Sequence, residues 1–218
     1  FKSMSDIVVS RTAYRFTDLM HKDHPEAIGQ LSEGHPYDVS TNIFERLPQV
    51  FFDDKPDDGN DYIRILGRMD NTRTMKFVRR DYIREVENLD GYKVFMASAN
   101  SNGVFGEILT PPIVAEPCVG NTETFISIGN FSSLYEADAA RKYITTKFVR
   151  ALLGVLKTTH HLTPETWKFV PQQDFSETSD IDWSRSVEEI DAFLYKKYKL
   201  TDAEICFINE KVQAMKDV

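Results

Sequence analysis

Two stretches of the sequence gather the residue types that contact nucleic acid. Between Arg64 and Arg84 seven basic residues stand against two acidic ones, so this stretch has a net charge of +5. The second stretch, Asn100-Ser101-Asn102-Gly103, has the composition of an exposed turn. Arginine binds guanine and asparagine binds adenine through paired hydrogen bonds, and further basic side chains neutralise phosphates. A plain surface turn is the alternative for the second stretch. The candidate DNA-binding residues are Arg64, Arg68, Arg73, Lys76, Arg79, Arg80, Asn100, Ser101 and Asn102.

The longest periodic stretch, residues 131–159, would help to position these side chains. Ser133 and Glu136 have the spacing of a capping box, and apolar residues follow at three- and four-residue intervals. The sequence therefore predicts a long amphipathic helix over about 133–157. Its other face is basic and adds Lys147 and Arg150 to the candidate DNA-binding residues. A solvated helix face without a ligand is the alternative interpretation.

Charge is segregated along the chain although the whole sequence is acidic. The net charge is −8, and residues 174–218 contain eleven acidic residues against six basic ones. Because phosphate attraction is screened over about 8 Å, the local sign decides where DNA could bind. No run of about 18 apolar residues occurs, and an apolar signal core is absent, so we expect no membrane partner. Cys118 and Cys206 lack metal-ligand spacing, which favours a reduced cytoplasmic location.

Two further stretches contain residues that could bind metal. Residues 53–61 (DDKPDDGND) have the carboxylates of a nuclease site or a calcium loop, but they lack the closing glutamate of a calcium loop. Residues 21–40 contain three histidines without the i, i+4 pairing of known zinc motifs. We therefore predict no catalytic residue and no metal ligand in this chain. A metal-dependent nuclease that uses residues 53–61 is the alternative.

The remaining patterns predict the fold class. Short strand-like segments separated by turns fill residues 62–129, and two capping boxes, Ser186 with Glu189 and Thr201 with Glu204, open two helices near the C-terminus. We predict an α+β fold, with a small, mainly antiparallel β module packed on the long amphipathic helix. Residues 1–175 would form this domain and residues 176–218 a C-terminal helical appendage. Strands are predicted at Tyr62–Leu66, Tyr92–Ala99, Val104–Leu109 and Thr122–Gly129.

Five segments of the sequence together resemble one protein family. They are Thr122–Phe125, Tyr143–Leu153, Lys168–Phe175, Asp180–Asp191 and Tyr195–Ile208. These segments are similar to the C-terminal region of bacterial type II restriction–modification polypeptides and adenine-specific DNA methyltransferases. The resemblance is strongest over about the last hundred residues and weakest over the first sixty.

The resemblance implies a target-recognition domain, which binds a site in double-stranded DNA for an adjoining methyltransferase or endonuclease domain or subunit. The family's catalytic Asn-Pro-Pro-Tyr loop is absent, because Thr110-Pro111-Pro112-Ile113 lacks both the amide and the aromatic ring. A Gly-rich loop for S-adenosylmethionine is also absent. We therefore expect a non-catalytic chain without a cofactor, and S-adenosylmethionine and magnesium only in the adjoining catalytic domains. A protein-interaction module that docks on a catalytic subunit is the alternative function.

Overall fold

The structure, a computed structural model, describes residues 1–99, 105–156 and 162–215. Short 3-10 turns lie at Met4–Ile7, Arg80–Tyr82 and Pro164–Trp167. The helices are α1 Asp18–Asp23, α2 Ala27–Gln30, α3 Ile43–Arg46, α4 Leu134–Thr145, α5 Lys147–Leu156, α6 Val187–Lys197 and α7 Asp202–Lys211. The strands are β1 Val8–Val9, β2 Tyr62–Met69, β3 Thr72–Arg79, β4 Tyr92–Ala97, β5 Ile113–Ala115, β6 Val119–Asn121 and β7 Phe125–Phe131.

The strands form two sheets, and together with the helices they make an α+β fold. One sheet has the antiparallel order β1-β7-β4-β5, and the other has the order β3-β2-β6 with β6 parallel to β2. This confirms the predicted fold class and the mainly antiparallel pairing. The strand expected at Val104–Leu109 is not found, because residues 105–109 carry no strand pairing. No helix of the described residues has the length and apolar character needed to cross a membrane.

A tight turn joins β2 to β3 and makes a hairpin of two eight-residue strands. Asp70 and Asn71 occupy the turn with φ values of 50° and 60°. Positive φ at both central residues is the geometry of the two-residue turn that matches strand twist, and Asp and Asn tolerate it better than most residues. The turn fixes the pairing register, which places Arg68 opposite Arg73.

The prediction of a single long helix over residues 133–157 is wrong, because the structure has two helices there, α4 and α5. Thr146, between α4 and α5, has an extended ψ of 150°. Its hydroxyl donates to the Tyr143 carbonyl at 2.7 Å, which satisfies one of the last carbonyls of α4. The backbone N–H groups of Lys147 and Phe148 donate to the two carboxylate oxygens of Asp191, each at 2.9 Å. A carboxylate from α6 therefore caps α5 and makes a new helix start favourable.

Three clusters of buried side chains hold the fold together. The largest joins the β1-β7-β4-β5 sheet to α4 and α5, and it also contains Trp183, Leu194 and Ile208 from the C-terminal part of the chain. A second cluster joins the N-terminal helices to the β2–β3 hairpin, and a third, small one lies between the two sheets. The domain boundary at residue 175 stays a prediction, although residues beyond it share the core of α4 and α5.

Candidate functional site

The β2–β3 hairpin distributes its basic side chains over both faces of the sheet. Residues paired across a ladder point to the same face, and successive residues alternate. Arg64 pairs with Phe77, Arg68 with Arg73, and Tyr62 with Arg79. The four arginines of the two strands therefore share one face. Lys76 pairs with Ile65 and lies on the opposite face.

Four of the six basic residues between Arg64 and Arg80 that were predicted to bind DNA are paired with carboxylates. Arg80 is the clearest case, because its guanidinium donates to both carboxylate oxygens of Asp90 at 2.8 and 2.6 Å. These hydrogen bonds are the main cause of the lowered pKa of Asp90. A neutralised cation attracts phosphate less strongly than a free one. The other ion pairs are Arg64 with Glu116, Lys76 with Asp53, and Arg79 with Asp81 and Asp23.

Arg68 and Arg73 differ from these residues because neither forms an ion pair within the described part of the chain. Arg68 Nη2 donates to the carbonyl of Asn71 at 3.0 Å, and Arg73 Nη2 donates to the carbonyl of Pro111 at 2.7 Å. The Arg73 guanidinium also lies 6.0 Å from the centroid of the Phe125 ring. Desolvation lowers the pKa of Arg73, and the positive charge of Arg68 lowers it further. Two like charges thus face each other across the hairpin.

Both arginines line a cleft of about 660 Å³, which also receives Arg11 from the segment after β1. We call this the arginine cleft, defined by Arg11, Arg68 and Arg73. Arg11 likewise forms no ion pair with any residue that the structure describes. The cleft lies among the tip of the hairpin, the start of α3, the end of β4 and the start of β7. Its polar lining further includes Thr41, Asn42, Glu45, Asp70, Asn71, Ser98, Thr110, Glu123 and Thr124.

The arginine cleft is not purely basic. Glu45, Asp70 and Glu123 also line it, so three carboxylates accompany the three guanidinium groups. Among the described residues none of these six charged side chains forms an ion pair. The cleft lining therefore offers both guanidinium donors and carboxylate acceptors to a ligand.

One wall of the cleft is formed by α3, which is held in position by close packing against β2. A Cβ atom added to Gly67 would lie 2.6 Å from the Phe44 ring and 2.9 Å from the Thr122 methyl group. Only glycine leaves room for this approach. The packing holds α3, which carries Glu45, beside the hairpin end that carries Arg68.

The helical candidates Lys147 and Arg150 lie elsewhere, and the prediction that Arg150 is exposed is wrong. Arg150 is only 3% exposed, and its guanidinium donates to the backbone carbonyls of Thr145, Glu107 and Gln213. Burial lowers its pKa. Lys147 Nζ donates to the side-chain oxygen of Asn209 at 3.1 Å. The C-terminal part of the chain covers this helix face, which the helix sequence alone could not reveal.

The predicted asparagine tip, Asn100, Ser101 and Asn102, lies outside the described residues. The last described residue before it, Ala99, lines the arginine cleft. Sequence reasoning missed Arg11, because a single arginine in a short N-terminal segment carries no local signal. It also missed Glu45 and Glu123, because their relevance depends on contacts between distant segments.

The acidic turn at residues 53–61 is tied into the fold by its own hydrogen bonds. Asp53 pairs with Lys76, and Asp58 accepts from the Tyr62 hydroxyl at 2.8 Å and from the Asn60 N–H at 3.0 Å. The hydrogen bond from the Asn60 backbone is the main cause of the lowered pKa of Asp58. Across the described ranges, no group of three or more His, Cys, Asp or Glu side chains could hold a metal ion.

Comparison of the chain with protein-family models, with curated proteins and with solved structures gives no match. The resemblance of the five segments to restriction–modification polypeptides therefore stays a prediction. The function is inferred below from the arrangement of the charged side chains.

Proposed function

We propose that this chain is a non-catalytic DNA-binding specificity domain, which binds a duplex site for an adjoining methyltransferase or endonuclease domain or subunit. The observation that supports this function best is the arginine cleft. Arg68 and Arg73 from the end of the hairpin and Arg11 from the segment after β1 line one cleft, and they have no carboxylate partner among the described residues. Like charges opposite each other in a sheet are destabilising, so their placement favours an anionic ligand.

The shape of the hairpin also supports duplex DNA as the ligand. A two-stranded β-ribbon fits the major groove, which is about 12 Å wide. Arg68, Asp70, Asn71, Thr72 and Arg73 are all exposed at the hairpin end. The end of the ribbon could enter the groove while Arg11 lies beside it.

Binding of a fluorescent duplex of random sequence, measured by anisotropy between about 50 and 200 mM salt, tests the proposal. The affinity should fall steeply as the salt concentration rises, because bound phosphates release counterions. Arg68→Ala and Arg73→Ala should each weaken binding. If the arginine that is removed contacts a phosphate, the slope of log affinity against log salt concentration should also decrease by about 1.

Arg185→Ala is the matched control, because it removes one positive charge far along the chain from the cleft residues. Arg185 is exposed and paired with Asp182 and Glu189 at 3.0 and 3.2 Å. This variant should bind DNA as the unmodified chain does. Absence of binding at about 50 mM salt, where phosphate attraction is strong, would refute the proposed function. An equal loss in Arg185→Ala would show that only net charge matters.

A further inference from the structure

We propose that the arginine cleft reads the edge of a guanine–cytosine base pair in the major groove, with Arg68 and Arg73 on guanine and Glu123 on cytosine. This inference rests on the proposed function and adds the chemistry of the site that is recognised. It depends on the presence of both guanidinium and carboxylate groups in the lining of one cleft.

The carboxylates decide between a phosphate site and a base-reading site. A cleft that only held phosphate would gain nothing from Glu45, Asp70 and Glu123, because all three would repel the ligand. A guanine–cytosine pair, in contrast, offers both kinds of partner in the major groove. Guanine presents the acceptors N7 and O6, to which arginine donates, and cytosine presents an N4 amino group, from which Glu or Asp accepts.

Glu123 is the carboxylate whose backbone is held most firmly. Its N–H donates to the Val39 carbonyl at 3.0 Å, and its carbonyl accepts from the Ser98 hydroxyl at 2.9 Å. Groups held by a rigid backbone lose less entropy when they bind. Asp70 lies in the hairpin turn, and Glu45 lies on the four-residue helix α3. We therefore assign the cytosine contact to Glu123.

The arginine donors are also held in place before any ligand binds. Arg68 is fixed by its hydrogen bond to the Asn71 carbonyl, and Arg73 by its hydrogen bond to the Pro111 carbonyl and by the Phe125 ring. Each of these hydrogen bonds uses one of the five N–H groups of a guanidinium. The remaining N–H groups are sufficient for one of the two guanidinium groups to bind O6 and N7 of guanine together, with the other arginine beside it.

Selection of bound duplexes from a randomised library tests the assignment, with the unmodified chain, Glu123→Gln, Arg73→Gln and the control Glu177→Gln. Glu177→Gln changes the net charge by the same amount as Glu123→Gln. Because Glu177 is exposed and does not line the cleft, it controls for that change in charge. Circular dichroism and a thermal melt on each variant confirm that it is folded. Individual duplexes that differ at one base pair then give the affinities.

The unmodified chain and Glu177→Gln should select one position occupied by a guanine–cytosine pair. Replacing that pair by adenine–thymine should weaken binding about 5- to 150-fold, the range for a good bidentate contact. Glu123→Gln should no longer prefer a guanine–cytosine pair at this position, because a glutamine amide pairs with adenine rather than with cytosine. If Glu123→Gln does not fold, Arg73→Gln should show the corresponding loss at the guanine.

Two results would overturn the inference while leaving the proposed function intact. One is a uniform gain of affinity in Glu123→Gln for all duplexes, which would show that the carboxylate only repels phosphate. The other is a selected site without a guanine–cytosine requirement. Absence of duplex binding by the unmodified chain would instead refute the proposed function and the inference with it.

Discussion

Replacing Asp191 by asparagine should remove one pH-dependent contribution to the stability of the fold. Asp191 is 5% exposed, and its carboxylate accepts the N–H groups of Lys147 and Phe148 at the start of α5. Burial raises its pKa to about 6, although the two hydrogen bonds and the nearby charges of Arg150 and Lys147 act in the opposite direction. The carboxylate therefore stabilises the helix start but is costly to ionise.

The size and sign of the effect follow from the two pKa values of Asp191. In an unfolded chain aspartate has a pKa of about 3.9, so the folded state, at about 6, binds the proton more tightly. The difference corresponds to about 3 kcal/mol. Because the folded value is the higher one, this contribution to the free energy of unfolding is fully present at pH values well below about 4. It is lost as the pH rises through about 6.

Urea unfolding of the unmodified chain and of Asp191→Asn at pH 4, 5, 6 and 7 measures this contribution. The free energy of unfolding of the unmodified chain, minus that of the variant, should fall by about 2 kcal/mol between pH 4 and 7. The rest of the difference of about 3 kcal/mol is lost below pH 4, where the unfolded chain is still partly protonated. Taking the difference cancels the other carboxylates, such as Asp90, whose lowered pKa has the opposite effect on pH dependence. A difference that stays constant or rises with pH would refute the reasoning about the buried carboxylate.

Three further substitutions have defined expectations. Gly67→Ala should destabilise the fold by about 1–3 kcal/mol in thermal or urea unfolding, because its Cβ would meet the Phe44 ring at 2.6 Å; a neutral result would show that α3 can move aside. Arg150→Met should lower the free energy of unfolding by about 3 kcal/mol, because it leaves buried carbonyls unpaired. The folded variant should bind duplex DNA with unchanged affinity; weaker binding would indicate that Arg150 contacts DNA after all. Burial lowers the pKa of Lys93 to about 8, so the unfolded chain binds the lysine proton more tightly than the folded one. The stability of the unmodified chain relative to Lys93→Met should therefore rise by about 2 kcal/mol between pH 8 and 10; a pH-independent difference would contradict this.

Features encoded by neighbouring residues could be predicted from the sequence. The capping boxes of Ser186 with Glu189 and of Thr201 with Glu204 are present and open α6 and α7 as expected. Each depends only on residues three positions apart. The segment from Tyr62 likewise forms β2, although the strand is buried on both faces rather than on one.

Features that depend on distant segments could not be predicted in this way. The break at Thr146 depends on Asp191, which lies 45 residues further along the chain. The burial of Arg150 depends on Gln213 and on the helices before it. An amphipathic pattern shows that a helix has two faces, but it does not show whether a later segment covers the polar one.

The candidate site was predicted in part for the same reason. Counting charges between Arg64 and Arg84 singled out a basic stretch, most of which lies in the β2–β3 hairpin, but it could not separate paired from unpaired side chains. Asp90 and Glu116, which neutralise Arg80 and Arg64, lie outside the counted stretch. Only the structure shows that Arg68 and Arg73 form no ion pair among the described residues and that Arg11 joins them.

The short connection between β6 and β7 links the cleft to the rest of the molecule. These strands belong to different sheets, and only residues 122–124 lie between them. Glu123 is the middle residue of that connection and lines the cleft, so a change in the angle between the two sheets would also move one wall of the cleft. If a duplex binds in the cleft as proposed, it would also restrain the movement of the two sheets relative to each other.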